Sequence, residues 1–306
     1  MREGLCMEPI KQISVMGAGQ MGRQIAMLCA LGGFETILYD LDTNQLSQAE
    51  KALESLMKQW VQKGKIEEEG VKQAFSRLSF TNDFKTSAER PDLVIEAVVE
   101  KLSVKKELFQ ALEESVPAHT IFATNSSTIV NSLLAPVTSR PDKFVNMHFF
   151  FPPLVMNCVE VVMSEQTSEE TVQAAMEVCR QINRRPFLLR KEISGFVANR
   201  ILGAIHKEAL HLYEEGIADF KDIDQICRTA LGHPIGPFEL LDLSGNDVIY
   251  DVMQQRYSET GDPNDQPNAS IIEKVQQGKL GRKTGNGWYE YGEEQRKTEK
   301  TGVNKR

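Results

Sequence analysis

A fold can be predicted from one run of residues near the amino terminus, Ile13-Ser14-Val15-Met16-Gly17-Ala18-Gly19-Gln20-Met21-Gly22. The first four residues are typical of a buried strand, and the glycines follow with the spacing G-x-G-x-x-G at the start of a helical pattern. Gly17 permits a tight turn, Gly19 lets the backbone approach a pyrophosphate, and Gly22 allows the helix to pack closely on the strand. The start of the helix also offers unpaired N–H groups to phosphates. This run therefore predicts a dinucleotide-binding turn.

A carboxylate at the end of the next predicted strand supports this prediction. Asp40 lies 23 residues after Gly17, where its side chain can accept hydrogen bonds from both ribose hydroxyls. The same charge would repel a 2′-phosphate, so the sequence favours NAD over NADP. The predicted cofactor contacts here are Gly17, Ala18, Gly19, Gln20, Met21, Gly22 and Asp40. The alternative is a glycine turn and a strand-terminal aspartate that bind no ligand.

The order of strand and helix patterns along the chain predicts an α/β protein with two domains. Short β-rich runs alternate with helical stretches over residues 1–190, which predicts a Rossmann-type, mostly parallel sheet that binds the dinucleotide. Residues 191–295 show only helical patterns and predict a smaller all-α domain, and residues 296–306 predict a disordered tail. Within this scheme Leu93–Val99 is predicted as a strand, and Ser194 as the cap of a long helix.

Composition excludes several classes of partner. The 306 residues include 35 Lys and Arg against 43 Asp and Glu, and a net charge of −8 gives no reason to expect nucleic acid or an anionic membrane. The five cysteines are odd in number and form no C-x-x-C pair, so neither a disulfide framework nor a metal site is predicted. We see no signal-peptide pattern and no apolar run long enough to span a membrane. We therefore expect a cytoplasmic protein with a small-molecule partner.

A histidine and a glutamate mark the predicted ligand crevice. His148 ends a predicted strand, and Glu160 lies on the strand that follows the next turn. In a Rossmann-type sheet the carboxyl ends of the strands face the ligand, and a neighbouring glutamate can fix the tautomer of an imidazole and support its positive charge. Taken alone, a histidine at a strand end is more often a structural residue, so these two residues leave both interpretations open.

Seven collinear motifs resemble the L-3-hydroxyacyl-CoA dehydrogenase family, and most closely its short-chain 3-hydroxybutyryl-CoA type. They are GAGxMG at 17–22, VIEAVVE at 94–100, TNSS at 124–127, HFF at 148–150 with Pro152, GFVANR at 195–200, GPFELLD at 236–242 and GRKTGNG at 281–287. The resemblance implies hydride transfer between NAD and C3 of a short-chain L-3-hydroxyacyl-CoA. It also implies a homodimer formed through the carboxyl-terminal helical domain.

The same resemblance implies roles for individual residues. His148 would be the general base, with Glu160 orienting it, and Ser127 and Asn199 would hydrogen-bond the substrate oxygens. Further cofactor contacts would come from Glu100, Lys105, Ser127 and Lys283, and the first choice for a contact to the coenzyme A phosphates is Lys63. The alternatives are a helix cap for Ser127 and ordinary solvated polar side chains for Asn199, Glu100, Lys105, Lys283 and Lys63.

The chain departs from the family pattern at one position beside the histidine. The family reads H-F-F-N-P, whereas this sequence has Phe151 in place of the asparagine. The missing amide would have contacted the nicotinamide end of the cofactor, so its loss removes a hydrogen bond. Two alternatives stay open: a dehydrogenase of free 3-hydroxy acids, similar to gulonate or carnitine dehydrogenases, and an NAD-binding protein with impaired catalysis.

Overall fold

A computed structural model describes residues 9–292, and within them an eight-stranded sheet organises the first two thirds of the chain. Its strands are β1 Gln12–Met16, β2 Glu35–Tyr39, β3 Leu78–Thr81, β4 Leu93–Glu96, β5 Ile121–Thr124, β6 Phe144–Phe149, β7 Val159–Val162 and β8 Pro186–Leu189. They lie in the order β3-β2-β1-β4-β5-β6-β7-β8, and every neighbouring pair is parallel except β6 with β7. The prediction of a Rossmann-type, mostly parallel sheet is confirmed.

Helices cover the sheet and predominate in the described residues after Phe196. They are α1 Gln20–Leu31, α2 Thr43–Gln62, α3 Glu68–Arg77, α4 Phe84–Ala88, α5 Leu102–Glu113, α6 Asn131–Leu134, α7 Glu169–Gln181, α8 Ala198–Glu214, α9 Phe220–Ala230, α10 Pro237–Ser244, α11 Asn246–Thr260 and α12 Ala269–Gln276. The described residues divide into two compact units, and the division falls between Phe196 and Val197. No helix of residues 9–292 is both long and apolar enough to cross a bilayer.

The first unit is stabilised by apolar packing on both faces of the sheet. Ile13 and Val15 of β1 point into one cluster with α1, α2, α3 and α7, while Met16 points into the other with α4, α5 and α6. Side chains of a parallel sheet are buried on both faces, which explains why its strands read as continuous apolar runs. Each fully buried aliphatic or aromatic side chain contributes about 1.5–3 kcal/mol.

The second unit has its own small core around aromatic rings. Phe238, Leu241 and Trp288 are buried there among the helices. Asp242 of α10 accepts hydrogen bonds from the backbone N–H groups of Trp288 (2.9 Å) and Tyr289 (2.8 Å). These bonds to a fully buried carboxylate fix the segment that follows the last helix onto the core.

The order of strands places the ligand edge of the sheet. β1 lies between β2 and β4, so the strand order proceeds from β1 to one side of the sheet and then, starting with β4, to the other. Ligands bind such sheets at the carboxyl ends of the strands, near the point where the strand order reverses. Because β7 runs antiparallel to β6, its first residues return to that same edge. His148 of β6 and Glu160 of β7 are therefore directly paired across the two strands.

Two local predictions were wrong, and one strand was missed. The short strand β3 (Leu78–Thr81) was missed, because its half-buried edge position leaves only a weak apolar pattern. The strand predicted over Leu93–Val99 ends at Glu96, whose side chain accepts the backbone N–H of Val98. Ser194 does not cap α8: Gly195 and Phe196 adopt positive φ angles, which are incompatible with a helix, so α8 begins at Ala198. The disordered tail predicted for 296–306 lies outside the described residues.

Candidate active site

The glycine-rich turn connects β1 to α1 with little room for side chains. Gly17 has φ +108°, and a Cβ there would lie 2.6 Å from the carbonyl oxygen of Ala97. A Cβ on Gly22 would lie 1.8 Å from the carbonyl oxygen of Gly17. A Cβ on Gly19 would meet no atom within 4 Å, so open space lies where a pyrophosphate would approach. Gln20 and Met21 form the first turn of α1. The turn therefore fits a dinucleotide phosphate.

Asp40 lies at the end of β2, as predicted, and it also holds the turn in place. Its Oδ2 accepts the backbone N–H of Ala18 at 2.7 Å, and its Oδ1 accepts that of Asp42 at 3.0 Å. A carboxylate has about four lone-pair sites, so Asp40 retains the capacity to accept hydrogen bonds from a ribose. The structure thus places this carboxylate beside the glycine turn, which the spacing alone could only suggest.

His148 and Glu160 form a buried hydrogen-bonded pair. The Nδ1 atom of His148 lies 2.8 Å from Oε2 of Glu160, and the residues are 5% and 3% exposed. A carboxylate on Nδ1 favours the tautomer that carries its proton there, which leaves the lone pair on Nε2. Such an imidazole can accept a proton at Nε2 while the carboxylate stabilises the resulting charge. The sequence could place the two residues on neighbouring strands, but only the structure shows the hydrogen bond.

Aromatic rings surround the imidazole, and sequence reasoning missed this arrangement. The ring centroids of Phe150 and Phe196 lie 4.6 Å and 5.4 Å from that of His148. The end of β6 is also fixed by Asn125, whose Oδ1 accepts the backbone N–H of Phe149 at 3.0 Å. Asn125 belongs to the TNSS motif at 124–127, which was the available signal for this contact.

Lys105 lies at the centre of a buried ionic network beside β4. Its Nζ is 2.5 Å from Oε1 of Glu96 and 3.1 Å from Oε2 of Glu100, and the residue is only 1% exposed. Thr124 donates to the other oxygen of Glu96 at 2.6 Å. Burial raises the pKa of Glu96, whereas for Glu100 the opposing effects of burial and of Lys105 leave the pKa below its usual value. The alternative that Lys105 is an ordinary solvated side chain is wrong.

Ser127 lies next to the hydrogen-bonded side chain of Ser126. The hydroxyl of Ser126 donates to Glu100 and accepts the backbone N–H of Ile129 at 2.8 Å. The following helix, α6, begins only at Asn131, with Val130 as its N-cap. The helix-cap alternative for Ser127 is therefore wrong. Its carbonyl oxygen accepts the backbone N–H of Gly195 at 3.2 Å.

The remaining predicted site residues lie apart from this cluster in the chain. Lys63 is an exposed residue that ends α2 in the first unit. Asn199 lies in the first turn of α8 in the second unit, where its side chain is exposed. Lys283 also belongs to the second unit, and its Nζ lies 2.5 Å from a carboxylate oxygen of Asp247. In the part of the chain that the structure describes, no cluster of His, Cys, Asp and Glu is suited to hold a metal ion.

Known proteins resemble this chain over almost its whole length. Two family models match, described as 3-hydroxyacyl-CoA dehydrogenase, NAD binding domain, over residues 12–193 and 3-hydroxyacyl-CoA dehydrogenase, C-terminal domain, over residues 195–291. The chain is 36% identical to the mitochondrial hydroxyacyl-coenzyme A dehydrogenase of Rattus norvegicus, covering 92% of this chain and 91% of the relative. It is also 36% identical to a probable 3-hydroxybutyryl-CoA dehydrogenase of Bacillus subtilis, covering 93% and 98%. The crystal structure of (S)-3-hydroxybutyryl-CoA dehydrogenase from Ralstonia eutropha superimposes with a TM-score of 0.87 at 34% identity, covering 93% of this chain and all of that one.

Proposed function

Because this chain belongs to the NAD-dependent 3-hydroxyacyl-CoA dehydrogenase family, we propose that it interconverts a short-chain L-3-hydroxyacyl-CoA and the corresponding 3-ketoacyl-CoA. 3-Hydroxybutyryl-CoA and acetoacetyl-CoA are the proposed substrate pair. The observation that supports this most strongly is the buried His148–Glu160 pair at the ligand edge of an NAD-binding sheet. It supplies a positioned base, which the oxidation of an alcohol requires.

In the proposed oxidation, Nε2 of His148 removes the proton of the C3 hydroxyl. NAD, which the glycine turn and Asp40 would hold, would accept the electron pair of the C3–H bond as hydride while the C3–O bond becomes a carbonyl. Glu160 holds the imidazole through Nδ1 and stabilises the imidazolium that forms. In the reverse direction the same imidazolium returns its proton to the carbonyl oxygen. A base of this kind is typically worth about 10²–10⁴ in rate.

We assign the other residues to binding. Ser127 and Asn199 hydrogen-bond the substrate oxygens and polarise C3. Glu100, Lys105 and Lys283 contact the cofactor. For Lys105, which is buried against Glu96 and Glu100, we assign an indirect contact, made by holding the carboxylate of Glu100 in place. Lys63, exposed at the end of α2, binds a phosphate of coenzyme A.

The experiment that tests this proposal compares thioester and free-acid substrates. The purified protein is mixed with NADH and either acetoacetyl-CoA or acetoacetate, and the loss of NADH absorbance is followed. We expect turnover with acetoacetyl-CoA at least about 100-fold more efficient than with acetoacetate, because the binding energy of the coenzyme A part is lost in the free acid. Turnover only with free acids would support the gulonate- or carnitine-like alternative. NADH binding without turnover of either substrate would support the impaired protein that Phe151 suggests.

We further propose that the chain forms a homodimer through its second unit and resides in the cytoplasm. Four apolar side chains of that unit are 56–70% exposed, namely Ile201, Ile217, Ile226 and Leu231, whereas Phe238 and Leu241 are buried. Contact with a second copy of the chain would remove such exposed apolar surface from water. Sedimentation equilibrium should give twice the chain mass, and Leu231→Glu with Ile226→Glu should give the single-chain mass. A monomer in the unaltered protein would contradict this proposal.

A further inference from the structure

The connection that precedes α8 adopts an unfavourable backbone conformation. Gly195 has φ +79° and Phe196 has φ +48°, so two successive residues lie in the left-handed region. Glycine adopts this region freely, but for a bulky residue such as phenylalanine it is an outlier. Strained conformations persist only where surrounding contacts hold them, and they cluster at functional sites. Phe196 is therefore a residue whose conformation needs an explanation.

Contacts within the first unit hold this conformation. The backbone N–H of Gly195 donates to the carbonyl oxygen of Ser127 at 3.2 Å, and that of Phe196 donates to Ile193 at 3.0 Å. The ring of Phe196 is almost fully buried, with 1% of the residue exposed. A typical helical continuation from Ser194 would remove both positive φ angles and point the ring elsewhere. The left-handed turn thus directs a large aromatic side chain inward.

The ring is directed at His148. The two ring centroids are 5.4 Å apart and their planes are inclined by 51°. Phe150 packs against the same imidazole at 4.6 Å with an inclination of 56°. The hydrogen bond from Nδ1 to Glu160 restrains the rotation of the imidazole at one atom, but the torsion that orients a histidine ring is soft, so one bond leaves some rotation. The packed rings restrict this remaining rotation and therefore the direction of Nε2.

We infer that Phe196 is a positioning residue for the base, one that orients the imidazole of His148 so that Nε2 faces the substrate hydroxyl. This inference rests on the proposed function, because only a base needs its lone pair aimed. The strained turn at Gly195 and Phe196 is the structural requirement for that contact. Because the same turn is bonded to the carbonyl of Ser127, it also fixes the base relative to a proposed substrate contact.

The test replaces the ring and keeps the apolar bulk. Phe196→Leu should lower kcat with acetoacetyl-CoA by about 10- to 100-fold, since misplacement of a reacting group by about 1 Å can cost this much. The KM for acetoacetyl-CoA and the Kd for NADH should stay within about twofold. Phe196→Tyr, which keeps the planar ring, should retain kcat within about threefold of the unaltered protein. Phe196→Met serves as a second ring-deleting variant if the leucine variant does not fold.

A matched control separates positioning from general loss of packing. Phe34 is equally buried, at 1% exposure, and lies just before β2, at the amino ends of the parallel strands and away from the ligand edge. Phe34→Leu should lower the melting temperature without changing kcat beyond about twofold. Unchanged kcat in Phe196→Leu and Phe196→Met, or an equal loss in Phe34→Leu, would overturn the inference.

A second readout distinguishes failure of this inference from failure of the proposed function. Absence of turnover in the unaltered protein would contradict the proposed function but not the ring contact itself. The imidazole proton signals of His148, assigned by comparison with His148→Gln, report ring orientation without turnover. They should shift in Phe196→Leu and return towards their original position in Phe196→Tyr. Signals that do not move in Phe196→Leu would overturn the positioning role independently of any activity.

Discussion

Replacing Glu160 with glutamine removes one charge from the proposed catalytic pair while keeping its shape. In the structure Oε2 of Glu160 lies 2.8 Å from Nδ1 of His148, and neither residue is more than 5% exposed. A carboxylate can only accept a hydrogen bond at Nδ1, whereas an amide can also donate one. An amide that donates to Nδ1 would move the imidazole proton to Nε2, where the lone pair is needed. Glu160→Gln therefore affects both the charge and the tautomer of the base.

The size of the effect follows from the separation of the charges. With about 4 Å between the centres of an imidazolium and a carboxylate, and an effective dielectric constant of about 20, the attraction is about 4 kcal/mol. That energy is available only when the imidazole is protonated, so it lowers the barrier to proton removal. Since about 1.4 kcal/mol corresponds to a factor of ten, we expect kcat for 3-hydroxybutyryl-CoA oxidation to fall by about 10³-fold.

The assay measures kcat for 3-hydroxybutyryl-CoA oxidation from the appearance of NADH, together with the Kd for NADH. The Kd should stay within about twofold, because the altered residue supports the base and not the cofactor. Glu113→Gln is a matched control: it also removes a carboxylate from an ion pair, with Arg140 at 2.9 Å, but at the far end of α5. That control should keep kcat within about twofold. A loss of less than about fivefold in Glu160→Gln would refute the assignment of Glu160.

Three further predictions concern the cofactor, the unusual residue and the fold. Asp40→Ser should weaken NADH binding by about tenfold or more and reduce the preference of the protein for NADH over NADPH. The variant lacks the carboxylate that accepts hydrogen bonds from the ribose and repels a 2′-phosphate. An unchanged ratio of the two Kd values in fluorescence titration would argue against this placement of Asp40. Phe151→Asn should raise kcat/KM for NADH, measured with saturating acetoacetyl-CoA, by about three- to tenfold, since an amide hydrogen bond is worth about 1 kcal/mol. A decrease in kcat/KM would show that the exposed ring of Phe151 has its own role. Burial lowers the pKa of His206 to about 4, so the unfolded chain binds more protons as the pH falls below about 6.5, and stability should fall between there and about pH 4. Urea unfolding at about pH 6.5 and about pH 4 measures this loss of unfolding free energy, which should be smaller in His206→Leu than in the unaltered protein. Equal losses in the two proteins would exclude His206 as the cause.

The sequence predicted well those features that depend on residues at fixed short spacings or on the regular order of strands and helices. The glycine turn at 17–22, Asp40 at the end of the next strand and the neighbouring strands that bring His148 to Glu160 all follow from residues close in the chain or from the regular order of a Rossmann-type sheet. Strand β3 was missed because it has only four residues at a sheet edge, one buried, one exposed and two half-buried, which give little periodicity.

The features that the sequence could not predict depend on contacts between distant residues. Phe196 reaches His148 across 48 positions through two left-handed residues that interrupt a strong helical pattern. Residue type alone indicates a surface position for Lys105 on α5, yet its side chain is buried because it forms an ion pair with the buried Glu96 on β4. Charged residues are almost never fully buried without a partner, and a partner nine residues away on another element leaves no periodic signal.

The most direct test of the central claim is the turnover of His148→Gln measured beside its NADH affinity. If His148 moves the proton, kcat for acetoacetyl-CoA reduction should fall by at least about 10²-fold while the Kd for NADH stays within about twofold. Full turnover in His148→Gln, with NADH bound normally, would remove this residue from the mechanism and contradict the account of the buried pair.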